Sequence, residues 1–175
     1  MTKISLDAIK ELRNMTLASV ANCKAALEEA SGDIKKAAGI LRKRGLEIAA
    51  KRQDRVAKEG RVEAYVHMGN KVGVLLEVDC ESDFVARNSE FAQFTKDLAM
   101  QITACNPIYI KKEEVPKDIL EQEKDEDKFL KEACLLEQPF VKDPSIYIKD
   151  YLGNLIAKIG ENVVIRRFVR YKVGE

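Results

Sequence analysis

Apolar residues recur along the first 45 positions at the three-to-four-residue spacing of amphipathic helices. Leu6, Ile9 and Leu12 share a face behind Ser5, which can cap, and Val20, Cys23, Leu27 and Ala30 share another ahead of Gly32. Asp33 then caps a third helix carrying Ile34, Ala37, Ala38 and Leu41, and Gly45 is expected to end it in a left-handed cap. From Glu47 to Gly60 the apolar face fades into charge, the mark of a linker whose first part is helical. The period then drops to two. Val62, Ala64, Val66 and Met68 alternate with Glu63, Tyr65 and His67, Gly69-Asn70 reads as a two-residue turn, and Val72, Val74, Leu76 and Val78 return antiparallel.

Helical spacing resumes in Phe91, Phe94, Leu98 and Ile102, closed by Asn106-Pro107. Pro116 suits the first turn of another helix, and Phe129, Leu130, Ala133 and Cys134 recur at helical spacing. Asp143-Pro144 reads as a cap and first-turn proline ahead of Ile148, Leu152, Leu155 and Ile159, with Gly160 as the stop. A last strand, 162–173, has no cleanly apolar face. The expectation is an α+β chain: a three-helix bundle over 1–46, a basic linker over 47–60, and over 61–175 a three-stranded antiparallel sheet packed with helices.

Between the returning strand and the Phe91 helix lie Cys80, Glu81, Ser82, Asp83, Phe84, Val85, Ala86 and Arg87. Ser82 or Asp83 can cap the turn that follows, which sets Phe84 on its first turn, at the exit from the sheet. By pattern alone Phe84 is core, the usual fate of Phe, and Asp83 only a cap.

Charge narrows the field. Thirty basic against 29 acidic residues leave a net charge of +1, too balanced for a chain that lives by nucleic-acid attraction. Locally, Lys35, Lys36, Arg42, Lys43, Arg44, Lys51, Arg52, Arg55 and Lys58 face only Glu47 and Asp54, whereas 113–128 is acidic. No aromatic residue interrupts the basic run to stack on bases, so a solvated face outranks RNA binding there. The four cysteines, Cys23, Cys80, Cys105 and Cys134, are too widely spaced for a chelating Cys-x-x-Cys pair, lie in apolar periodic segments and read as buried thiols. Neither an apolar run of membrane-spanning length nor a signal-peptide core is present, so a cytoplasmic protein is expected. With no glycine-rich phosphate loop followed by Lys and Ser or Thr, the chain is not expected to bind nucleotide itself. The further expectations are that it needs no cofactor or metal and is not an enzyme.

The stretch from Leu75 to Phe91 resembles the signature of the bacterial elongation factor Ts family, guanine-nucleotide exchange factors for elongation factor Tu. The resemblance runs from Leu12 and Arg13 to Lys158, Ile159, Gly160, Glu161 and Asn162 and the strand beyond, and includes Cys134 to Pro144. It implies that Asp83 and Phe84, with Ser82 and Val85 beside them, form a tip that intrudes into the nucleotide-binding domain of elongation factor Tu, disturbs its magnesium and phosphate site and releases GDP. It also implies that the bundle is ubiquitin-associated-like and grips a partner helix through Leu12, Arg13, Val20, Asn22, Cys23 and Lys24. The family's usual Thr-Gly-Ala-Gly-Met-Met is here Thr16, Leu17, Ala18, Ser19, Val20, Ala21, a stiffer loop in which Val20 is the favoured apolar anchor. Interhelical core is the competing reading for Leu17 and Val20. Short family members imply a homodimer paired through the core sheet. The rival classes are a non-enzymatic adaptor using the bundle for protein binding, an RNA binder using 35–58, and a hydrolase pairing Cys80 with His67.

Overall fold

The structure, a computed structural model, describes residues 4–16 and 18–175; Leu17 and the N-terminal Met1, Thr2 and Lys3 lie outside the described residues. In chain order the elements are α1 (Leu6–Thr16), α2 (Val20–Glu29), α3 (Ile34–Arg52), β1 (Glu59–Val66), β2 (Val72–Cys80), α4 (Asp83–Ala86), α5 (Ser89–Cys105), α6 (Lys117–Gln122), α7 (Glu126–Ala133), β3 (Pro139–Phe140), β4 (Asp143–Tyr147), α8 (Ile148–Ile159) and β5 (Val163–Lys172). The mixed α+β class is as expected. Two compact units emerge: the chain up to Arg55 with Lys149–Asn162, and Val56–Ile148 with Val163–Glu175. Residues 149–162, expected with the C-terminal core, group with the first unit.

In the first unit α1, α2 and α3 each start on a side-chain oxygen that accepts an otherwise unpaired backbone N–H. Ser5 takes the N–H of Ala8 at 3.1 Å, Ser19 that of Asn22 at 3.2 Å, and Asp33 that of Lys36 at 3.0 Å. Gly32, at φ +88°, sends its N–H back to the Leu27 carbonyl and so closes α2. The core is small-residue packing: Ile9, Leu12, Cys23, Ala26, Leu27, Ala37 and Leu41. Gly45 does not end α3, which continues to Arg52. It is a glycine because α8 crosses there: a Cβ would lie 3.0 Å from Asn154 Oδ1 and 3.3 Å from the Gly153 carbonyl carbon. The crossing is fastened by polar groups. Asn154 Nδ2 donates to the buried Thr16 carbonyl at 2.6 Å, an acceptor in the last turn of α1, and Arg52 donates to the Ile156 carbonyl at 2.8 Å. Asn162 donates to the Arg55 carbonyl at 2.8 Å.

In the second unit β2 is the central strand of an antiparallel sheet ordered β1-β2-β5. Val74, Leu76, Val78 and Cys80 point inward together with Phe91, Phe94, Leu98 and Ile102 of α5, which packs on β1 and β2. Asn106, at φ +47°, terminates α5. Segment 134–141 is held by buried amides: Gln101 Nε2 donates to Gln138 Oε1 and to the Pro139 carbonyl at 3.1 Å, and its Oε1 accepts the Val141 N–H at 2.7 Å.

Three local expectations change. Asp143-Pro144 opens β4 and not a helix, because the Asp143 carboxylate is turned onto Ser145, accepting its N–H at 3.1 Å and its hydroxyl at 2.6 Å; α8 starts at Ile148. The hairpin loop is longer than Gly69-Asn70, since the His67 N–H already pairs with the Val72 carbonyl; Gly69, at φ +90°, is the third residue of a turn closed by Asn70 N–H on the His67 carbonyl. Cys105 is exposed at the end of α5, while Cys23, Cys80 and Cys134 are buried.

The faces of the sheet also fall unexpectedly. Val62, Ala64 and Val66 of β1 point outward, and the inward side carries Arg61, Glu63 and Tyr65. Glu63 is satisfied there by Arg61 at 3.1 Å and by the Thr95 hydroxyl at 3.0 Å. In β5 the register slips against β2 between Glu77 and Val78, so Arg166 has no opposite residue. That extra residue inverts the alternation: Ile165 is buried, and beyond the bulge Val169 and Tyr171 face out. The ambiguous pattern of 162–173 is the trace of this bulge.

Candidate functional site

The site is built at the end of β2, where the strand is paired on both sides and cannot swing. Asp79, one residue from the strand end, is tied to β5 by Arg166 at 2.7 Å. On the other side Gly60 lets β1 pass: a Cβ there would sit 2.3 Å from the Val78 carbonyl oxygen, so no other residue fits without moving backbone.

Beyond Cys80 the chain turns at Ser82, whose extended backbone (φ −129°, ψ 155°) suits an N-cap and whose hydroxyl accepts the Val85 N–H at 3.4 Å. The single helical turn α4 follows. Val85 is buried, anchoring the turn in the core, while Phe84 beside it is 83% exposed. By contrast Phe91, Phe94 and Phe140 are all buried. Isolated exposed apolar residues are common on protein surfaces. What distinguishes Phe84 is that its backbone is fixed on both sides. Asp83 and Arg87 pair at 2.7 Å across the turn, the i,i+4 spacing of helical ion pairs. Asn88 then caps α5 by accepting the Glu90 N–H at 2.7 Å. Pattern alone would have buried Phe84, and the structure exposes it.

The bundle residues divide. Leu12 and Cys23 are fully buried in the α1–α2–α3 core, a correction to their expected place on a partner-facing surface: both lie on the stripe that α3 covers. Arg13, Asn22 and Lys24 are exposed, and Val20, at 54% exposure, is the apolar side chain available at the start of α2. Lys24 pairs loosely with Glu28 at 3.8 Å. The tip and this bundle surface belong to different compact units.

Two features escaped sequence reasoning. The Cys80 thiol donates to the Ser82 carbonyl at 3.1 Å, a contact with no sequence signature. The Asp83–Arg87 pair was legible as acid and base four residues apart on a helical turn. Cys80 and His67 are not joined as a hydrolase would need: His67 Nδ1 lies 3.2 Å from the Tyr65 hydroxyl and Cys80 is engaged with Ser82. Burial raises the Cys134 thiol to about 11, with Glu137, Glu114 and Glu113 adding to the shift, and burial also raises Cys105. Among the described residues no helix is long and apolar enough to cross a membrane, and no three His, Cys, Asp or Glu side chains converge as a metal site would.

The family model described as Elongation factor TS matches residues 2–127 and 125–175 of this chain. Elongation factor Ts of Caldanaerobacter subterraneus subsp. tengcongensis is 50% identical over 98% of this chain and 98% of its own length. That of Carboxydothermus hydrogenoformans is 48% identical over 98% of this chain and 90% of its own. That of Desulfosudis oleivorans is 47% identical over the full length of both. A match of this extent, on a fold that presents the Asp83-Phe84 turn at the end of its central strand, makes the chain a member of the elongation factor Ts family of translation elongation factors.

Proposed function

We propose that this protein binds elongation factor Tu carrying GDP and promotes release of the nucleotide so that GTP can replace it. The observation that carries this reading is the exposure of Phe84 on a turn whose neighbours, Ser82, Val85 and Asp83, are all tied down. The tip acts as a wedge. Phe84 enters the partner's nucleotide-binding domain, Asp83 fixes the approach, and the magnesium and phosphate contacts there are disturbed. No covalent chemistry is involved.

An exchange factor must favour the empty partner over the loaded one, and linkage makes the effect mutual. Burying one Phe side chain contributes about 2–3 kcal/mol, a shift of roughly 30- to 150-fold in an equilibrium. The partner's loss of magnesium and phosphate contacts supplies the remainder. Affinity comes from a ubiquitin-associated-like grip by Arg13, Val20, Asn22 and Lys24. The setting is the cytoplasm.

A dimer completes the reading. Val62, Leu75, Val169 and Tyr171 leave an apolar strip on the outer sheet face, bordered by the Glu77–Arg167 pair, and a second copy covers it isologously. The test of function is release of a fluorescent GDP analogue from elongation factor Tu. Acceleration by this protein supports the exchange reading, and a rate equal to spontaneous loss refutes it.

A further inference from the structure

The tip helix α4 has only four residues, too few to hold itself together, because a single helical turn fixes its backbone at a net cost. Something outside it must keep it folded. Its first carbonyl, that of Ser82, accepts the Ala86 N–H at 3.2 Å and so starts the turn. The same oxygen receives the Cys80 thiol at 3.1 Å. Carbonyl oxygen has two lone pairs, so both bonds form together. Cys80 is wholly buried, paired with Glu59 on one side and Val163 on the other, and therefore immobile.

We propose that Cys80 is a positioning residue for the tip: its buried thiol, fixed by the sheet, pins the Ser82 carbonyl and so sets the orientation in which Phe84 is presented. The residue does not touch the partner and performs no covalent step. Small, weakly polar and able to donate, a thiol meets three demands at once. It packs as core, needs little desolvation, and still hydrogen-bonds the turn. Alanine removes the donor together with one buried sulfur atom, so the core next to it serves as the control for lost packing. Serine keeps a donor on a shorter arm.

The mechanistic consequence rests on the exchange reading, so the test has a readout independent of it. Amide hydrogen exchange is measured for Val85, Ala86 and Arg87, with Phe94 and Leu98 of α5 as internal reference, in the parent, Cys80→Ala and Cys80→Ser. The tip amides of Cys80→Ala should exchange roughly fivefold faster than in the parent, those of Cys80→Ser within about twofold, with the α5 amides unchanged. In GDP release, Cys80→Ala should lower the rate at saturating factor roughly fivefold with little change in the half-saturating concentration, and serine should restore most of it. Tip amides at the parental rate in Cys80→Ala overturn the proposal. So does equal loosening of α5, which would make Cys80 ordinary core. Phe84→Ala, run in parallel, separates the two claims: if it releases GDP at the parental rate, the wedge is wrong, while the amide result still decides Cys80.

Discussion

Gly45 and Gly153 meet face to face at the α3–α8 crossing. A Cβ on Gly45 would stand 3.3 Å from the carbonyl carbon of Gly153, and a Cβ on Gly153 would stand 3.2 Å from that of Gly45. Each glycine is the space the other helix occupies. A bulky residue at Gly45 should therefore force the helices apart, with Gly45→Val costing about 1–3 kcal/mol by overpacking. Gly39, on the same helix, has nothing within 4 Å of its would-be Cβ. There Gly39→Ala should stabilise by about 0.5–1 kcal/mol through helix propensity. Urea unfolding of the two variants checks the opposite signs.

The outer sheet face gives a second expectation. Leu75 is 48% exposed at the middle of the strip formed with Val62, Val169 and Tyr171, on the side of the sheet away from α5. Leu75→Lys should leave the fold intact yet prevent self-association. Light scattering at micromolar concentration should read twice the chain mass of 19.7 kDa for the parent and one chain mass for the variant. A parent of single-chain mass would remove the dimer.

The thiols give a third. Under native conditions an alkylating reagent should modify Cys105 ahead of the three buried cysteines, with mass spectrometry locating the adduct. Partial desolvation at the end of α5 raises its thiol even though the residue is exposed, so the reaction should run slower than with free cysteine at the same pH.

Cys134 ties stability to alkaline pH. Its folded value is raised from 9.0 to about 11, chiefly by burial. Below pH 9 both folded and unfolded chains hold the proton and the contribution is fully present. Between about pH 9 and 11 the unfolded chain loses its proton and the native one keeps it, so stability falls, by about 2–3 kcal/mol over the window. Parallel denaturant titrations of the parent and Cys134→Ala should show a steeper alkaline loss in the parent.

Much of the fold could be read from spacing. Leu76, Val78, Phe91, Phe94, Leu98 and Ile102 are buried as their periods require, and Ser5 and Asp33 cap where expected. The misreadings share a physical cause: one residue type serves two purposes. Glycine after a helical run stops a helix or admits a crossing one, and at Gly45 the deciding partner lies 108 positions further along, at Gly153. The β5 bulge at Arg166 mixes two alternating patterns into one that shows neither. At the site, Asp83 and Phe84 were found through resemblance, since a lone Phe beside a cap carries no mark of exposure. Leu12 and Cys23 show the limit of that route: their family positions suggested contact with a partner, and the helical stripe on which they lie puts them in the core.

The wedge is tested most directly by GDP release from elongation factor Tu with the parent and with Phe84→Ala at equal, saturating concentration. Because the ring is 83% exposed, its removal should change unfolding free energy by less than about 0.5 kcal/mol. The expected result is a folded variant that still binds the partner and releases GDP at least tenfold more slowly, about 1.4 kcal/mol of lost transition-state stabilisation. A folded variant that drives release as fast as the parent would contradict the account.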